Sequence, residues 1–161
     1  MEEFKLEKPR KMISGYVFEL CSFKTIKGHD DSLPFLGNLY ANGIRIGEAM
    51  NDGWGGEAVF TRTKTKKNQK LVDEIESVIK QKTVFEDDER LKDVKYSFGF
   101  LCDLLAEEML HYTTLKKCQN KNFIFLSKNE NMYVTIPKKN VDDFNKLCDE
   151  YEKKGFLYYV I

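Results

Sequence analysis

Asn51-Asp52-Gly53-Trp54-Gly55-Gly56 is the stretch whose residue types could do chemistry. Successive backbone N–H groups in a glycine-dense turn can converge on an anion, which would hold a phosphate. Asp52 could ligate a metal or act as a base, and Trp54 could stack on a base or a sugar. The stretch lacks the G-x-x-x-x-G-K-[ST] of a P-loop, and no G-x-G-x-x-G leads from a strand into a helix. The plain alternative is a wide hairpin turn with Trp54 covering the sheet edge. Arg62, Lys64, Lys66, Lys67 and Lys70 form a basic strip just beyond it. Such a strip beside aromatic residues suits phosphate contacts, or is simply a solvated entrance to a helix.

Three further groupings carry chemistry on paper. His29-Asp30-Asp31, with Glu107 and His111 at helical spacing, supplies the donor types of a mixed His/carboxylate metal site, or else a solvated turn and a surface ion pair. Cys21, Cys102, Cys118 and Cys148 include no C-x-x-C pair, so they read as small apolar core residues rather than nucleophiles or zinc ligands. The acidic run Glu86 to Glu89, with Asp93, suits a helix N-terminus. It would also serve as a phosphate mimic toward a nucleic-acid-binding partner. No cofactor is implied by any of these.

Composition narrows the classes. The 161 residues carry 26 basic and 26 acidic side chains. Zero net charge argues against a dedicated nucleic-acid binder, though not against one local basic patch. The basic residues are 22 lysines and only Arg10, Arg45, Arg62 and Arg90, which weakens the case for bidentate arginine recognition of phosphate. No apolar run approaches the ~20 residues of a membrane helix. The charged start, Met1-Glu2-Glu3-Phe4-Lys5, lacks the apolar stretch of a signal peptide, so the expected compartment is the cytoplasm.

The elements that would position these residues change period along the chain. Residues 1–11 read as a loose charged arm. Residues 12–26, 35–40 and 44–50 read as strands, with Asn42-Gly43 a tight hairpin and Ile44, Ile46 and Glu48 on one face. Extended structure resumes at Ala58, Val59 and Phe60, giving a meander of three or four strands. Leu71, Val72, Ile75, Val78 and Ile79 then predict a helix over 67–81. The stripe from Leu91 to Leu115 predicts a long helix over 90–116, interrupted by Gly99, where close packing or a kink would be the reason. Residues 122–127 and 132–136 predict a hairpin around Lys128-Asn129-Glu130-Asn131. Asn140 reads as the cap of a helix ending at Gly155, and 156–161 as a last strand. The fold class is α+β: an N-terminal antiparallel β-meander, two central helices and a C-terminal β-hairpin–helix–strand. A single domain spanning 1–161 is expected, with 1–64 and 65–161 as sub-lobes.

Asn42-Gly43-x-x-Ile46-Gly47 followed by Asn51-Asp52-Gly53-x-Gly55-Gly56 resembles a pattern in small, largely uncharacterised proteins of phages and other mobile elements. The resemblance spans 15 residues within the meander. It implies a genomic setting rather than a reaction. Several small phage proteins of this size class inhibit host defence, so it favours stoichiometric binding to a host protein, in the host cytoplasm.

The reading is therefore a non-enzymatic binding protein that inhibits a host defence protein by occupying a surface. Contacts are expected at Asn51, Asp52, Gly53, Trp54, Gly55, Gly56, Arg62, Lys64, Lys66 and Lys67. A nucleotide sponge using the 51–56 loop is the alternative, and a metal- or Cys-dependent enzyme the third. The three-four stripe of the long helix would also suit a homodimer.

Overall fold

The computed structural model describes residues 3–129 and 132–160. The chain is α+β, as its sequence predicts, and divides into two compact units. Pro9–Leu110 form one unit; Met1–Lys8 and His111–Ile161 form the other. The strands are β1 (Glu3–Lys5), β2 (Lys11–Ile13), β3 (Tyr16–Thr25), β4 (Phe35–Ala41), β5 (Ile44–Asn51), β6 (Val59–Arg62), β7 (Asn122–Ser127), β8 (Tyr133–Pro137) and β9 (Phe156–Val160). The helices are α1 (Lys66–Ile79), α2 (Phe98–Gln119) and α3 (Phe144–Lys153). No helix among the described residues is long and apolar enough to cross a membrane.

The first unit is built on a sequential meander, β2-β3-β4-β5-β6, antiparallel throughout. It has five strands rather than three or four, because the stretch read as one strand over 12–26 breaks at Ser14-Gly15, where both residues have positive φ. The Asn42-Gly43 hairpin forms as expected, with φ of 47° and 79°. Two residues at positive φ match the twist of the flanking strands. The inner face of the sheet (Phe18, Leu20, Phe35, Leu39, Ile46) packs with Val72, Ile75 and Ile79 of α1 and with Leu101 and Leu105 of α2. Each such fully buried side chain contributes about 1.5–3 kcal/mol.

A bulge corrects the expected face of β5. Tyr40 pairs with Arg45 and Leu39 with Gly47, so Ile46 is an extra residue on its strand. Beyond it the alternation shifts by one. Ile44 and Glu48 are exposed while Ile46, Gly47, Ala49 and Asn51 are buried, so Ile44, Ile46 and Glu48 do not share a face. The shift turns Asn51 inward at the end of the strand.

The long helix begins eight residues later than the sequence predicts. Leu91 and Val94 match helical spacing, but Leu91 is exposed and Asp88 caps only a single 3-10 turn at Glu89–Leu91. The rest of the segment closes on itself: the Val84 N–H donates to the Val94 carbonyl, the Tyr96 N–H to the Lys82 carbonyl, and Thr83 bridges Lys95. Gly99 therefore sits in the first turn of α2. A Cβ there would run into the Ala58 carbonyl and the Glu57 side chain, so close packing is its reason.

The second unit has the sheet order β1-β9-β7-β8. The arm read as loose contains β1, which pairs in parallel with β9. Alternation along β7 divides the sheet's faces. Ile124 and Leu126 pack with Leu115, Cys118 and Tyr159. Phe123 and Phe125 stack among Phe144, Tyr151 and Tyr158. Asp143, not Asn140, caps α3: its carboxylate accepts from the Lys146 N–H at 3.1 Å, and Asn140 ends a short 3-10 turn. Gly155 follows α3 at φ 81°, as predicted from its C′ position. Glu130, Asn131 and Ile161 lie outside the described residues.

Candidate functional site

Asn51 organises the glycine-rich loop. It is 4% exposed, and its amide uses its full bonding capacity. Oδ1 accepts from the Gly53 N–H at 2.8 Å and the Ser32 hydroxyl at 3.0 Å. Nδ2 donates to the Gly56 carbonyl at 3.0 Å and to Asp103 Oδ1 at 2.9 Å. The second oxygen of Asp103 accepts from the Ala58 N–H at 2.9 Å, so one carboxylate on α2 ties down both ends of the loop. Burial pushes the Asp103 carboxyl above its ordinary range and neighbouring Glu57 adds to the rise, against the bonds from Ala58 and Asn51.

Two further amides of the loop are engaged as well. The Trp54 N–H reaches Asp52 Oδ1 at 3.2 Å, and the Gly55 N–H reaches the Ser32 hydroxyl at 3.1 Å. The carbonyls of Asp52 and Gly53 accept from the His29 and Ser32 N–H groups, locking the loop to the 28–33 turn. Gly53 is required at φ 85°, where a Cβ would fall on the His29 backbone. The N–H groups of Gly53, Trp54 and Gly55, which would line an anion nest, thus point at the protein's own oxygens.

Trp54 does not cover the sheet edge. It is 63% exposed, with the His29 ring stacked against it. Behind the loop lies an open cavity of about 300 Å³, lined by Asp31, Glu57, Asp103 and Glu107 together with Phe100 and Asn51. Among the described residues, no group of three or more His, Cys, Asp or Glu side chains could hold a metal ion. His29 is taken up by Trp54, and the His111 ring meets Tyr133 edge-on.

The loop and the basic strip lie at opposite ends of the β5–β6 pair. Met50 pairs with Val59 beside the loop, while Arg62 pairs with Gly47 three residues along, roughly 10 Å away at strand rise. Arg62 is tied to Asp73 and Glu76 of α1, and the Asp73 bond leads in raising its pKa. Lys64 is exposed before α1. Lys66 and Lys67 are exposed in the first turn of α1, where no acidic residue answers the helix dipole. The structure therefore gathers Asn51 to Gly56 into one locked loop and leaves Arg62, Lys64, Lys66 and Lys67 apart from it.

Sequence reasoning missed Ser32 and Asp103. The available signal for Asp103 was a carboxylate flanked by Leu101, Cys102, Leu104 and Leu105 on a buried stripe, where a charge needs a partner. Cys102 and Cys148 are buried, as expected of core thiols, whereas Cys21 and Cys118 are only half-buried. Burial pushes the Cys102 and Cys148 thiols up, away from the reactive thiolate. In the acidic run, Asp88 is bonded to Arg90, while Glu86 and Asp87 line an open cavity with Met12 and Tyr96.

Comparison with known proteins finds no matching family model, no similar curated protein and no similar solved structure.

Proposed function

We propose that this chain is a non-enzymatic protein that binds another protein stoichiometrically, with Trp54 as the centre of contact. The observation that carries the reading is an exposed tryptophan on a loop whose own hydrogen bonds leave it little freedom. A large apolar side chain held in place gives up little entropy on binding, and tryptophan is over-represented among the residues that dominate interface energy. Following the phage-like pattern of the meander, the partner is a host defence protein met in the host cytoplasm.

The nucleotide-sponge alternative has less support. It needs free amides in the 51–56 loop, and the amides of Gly53, Trp54 and Gly55 are bonded internally. The buried thiols likewise give the Cys-dependent enzyme reading no nucleophile at Cys102 or Cys148.

The test is affinity capture from host cells with the wild type and Trp54→Ala as paired baits, followed by titration calorimetry on the protein retained. A 1:1 complex at least tenfold weaker for Trp54→Ala, with an unchanged far-UV spectrum, is expected. Equal affinity for both baits would remove Trp54 from the site. Stabilisation of the wild type by a nucleotide panel, abolished in Gly55→Val, would replace the reading with the sponge.

A further inference from the structure

The hairpin of the second unit ends in an unusual pairing. β7 and β8 are in register at Asn122 and Pro137, and the Lys138 N–H continues the ladder by donating to the Lys121 carbonyl at 2.9 Å. Lys121 and Lys138 are therefore opposite one another, and Lys139 follows directly. Like charges facing each other across an antiparallel pair are destabilising. Among the described residues no carboxylate forms an ion pair with Lys121, Lys138 or Lys139. Lys138 Nζ lies 5.5 Å from the centre of the Phe123 ring.

These lysines border an open cavity of about 480 Å³, lined also by Asn122 and Pro137. Its floor is fixed. Asn122 Nδ2 donates to the Cys118 carbonyl at 3.0 Å, and Pro137 leads into the 3-10 turn at Lys138–Asn140. The volume falls within the ~300–1,000 Å³ of small-molecule sites. Three lysines that line one hollow, without an ion pair among the described residues, match a ligand that brings two or more negative charges on adjacent oxygens. Lysine suits such a ligand as a point charge, without the planar fork that arginine supplies.

We propose that this cavity binds a phosphate-bearing ligand of nucleotide size, its phosphate seated between Lys121 and Lys138 with Lys139 as the third cation. The site lies within the second unit and does not depend on Trp54. The phosphate could arrive on a free nucleotide or at the end of a nucleic-acid strand, and the two are separated by the choice of probe.

The experiment is an amide NMR titration of the full chain with pyrophosphate, with ADP, and with a 5′-phosphorylated thymidine decamer. Each is repeated on Lys121→Gln/Lys138→Gln/Lys139→Gln and on a control with the same loss of charge, Lys128→Gln/Lys146→Gln/Lys153→Gln. Saturable shifts at Lys121, Asn122, Lys138 and Lys139 are expected, weakened at least tenfold in the first variant and no more than twofold in the control. Response to pyrophosphate and ADP would assign a free ligand; response to the decamer alone would assign a strand end. For the decamer, the salt dependence should also fall by about 2 in log–log slope on losing three phosphate-facing lysines. No saturable shift at these amides with any probe up to millimolar concentration would overturn the proposal. So would equal weakening in both variants, since that would reflect net charge alone.

Discussion

Replacing Asn51 with alanine removes four hydrogen bonds at once, to Ser32, Gly53, Gly56 and Asp103. The Ser32 hydroxyl and the Gly56 carbonyl lie near the surface and regain water. The Gly53 N–H is buried and cannot, and a donor stranded in that way costs about 1–3 kcal/mol. Asp103 loses one of its two partners, and a bond to a charged group contributes about 1.5–3 kcal/mol. Allowing for partial rehydration of the carboxylate, the variant should lose about 2–4 kcal/mol, a large share of the ~5–15 kcal/mol of a typical domain. Trp54 is the only tryptophan, so its fluorescence reports on this loop alone. In urea, with a slope of about 2 kcal/mol/M, the Trp54 transition should move down by roughly 1–2 M. Fluorescence anisotropy of the native variant should fall as the ring gains freedom. Asn51→Asp should be worse still, because a carboxylate would face Asp103 without a donor between them. A midpoint within about 0.3 M of wild type and unchanged anisotropy would refute the view that Asn51 holds the loop.

Gly53→Ala combines a left-handed backbone with a clash on His29 and should cost at least about 1–2 kcal/mol by the same urea assay. Lys66→Glu should stabilise α1 by roughly 0.3–1 kcal/mol by answering its dipole, seen as a higher melting temperature at low salt. Iodoacetamide should modify half-buried Cys21 and Cys118 in the native protein, whereas Cys102 should react only after unfolding, as read by peptide mass. The raised pKa of Asp103 fixes a sign for pH dependence. The folded state keeps this proton to higher pH than the unfolded chain, so the group's contribution to stability falls as pH rises from about 3.9 through its folded value and is level above it. That decline should be absent from the urea midpoints of Asp103→Asn measured between pH 3 and 7.

Local chemistry was legible where one or two residues decide the backbone. Asn42-Gly43 demanded positive φ and Gly155 ended a helix, and both behave so. The strand at Asn122–Ser127 was legible from a dense apolar run bounded by polar residues. The β5 bulge was not, because one inserted residue is invisible to alternation until the partner strand is known, and it reverses which side chains face inward. The start of α2 was misread because the exposed Leu91 keeps helical spacing within a segment that its own cross-bonds fold back. The candidate loop was visible as Asn51 to Gly56, but its meaning was not. Whether its amides were free for a phosphate depended on Ser32 and on Asp103, the latter 52 positions away on a helix.

Trp54 is the contact point we propose for a protein partner. The test is a photo-crosslinking residue, p-benzoyl-phenylalanine, placed at position 54 and, in a separate variant, at exposed Lys67, with irradiation in intact cells that carry the chain. One discrete adduct of 1:1 mass is expected from position 54, with weaker or no adduct from position 67. A discrete adduct from position 67 with none from position 54 would contradict it.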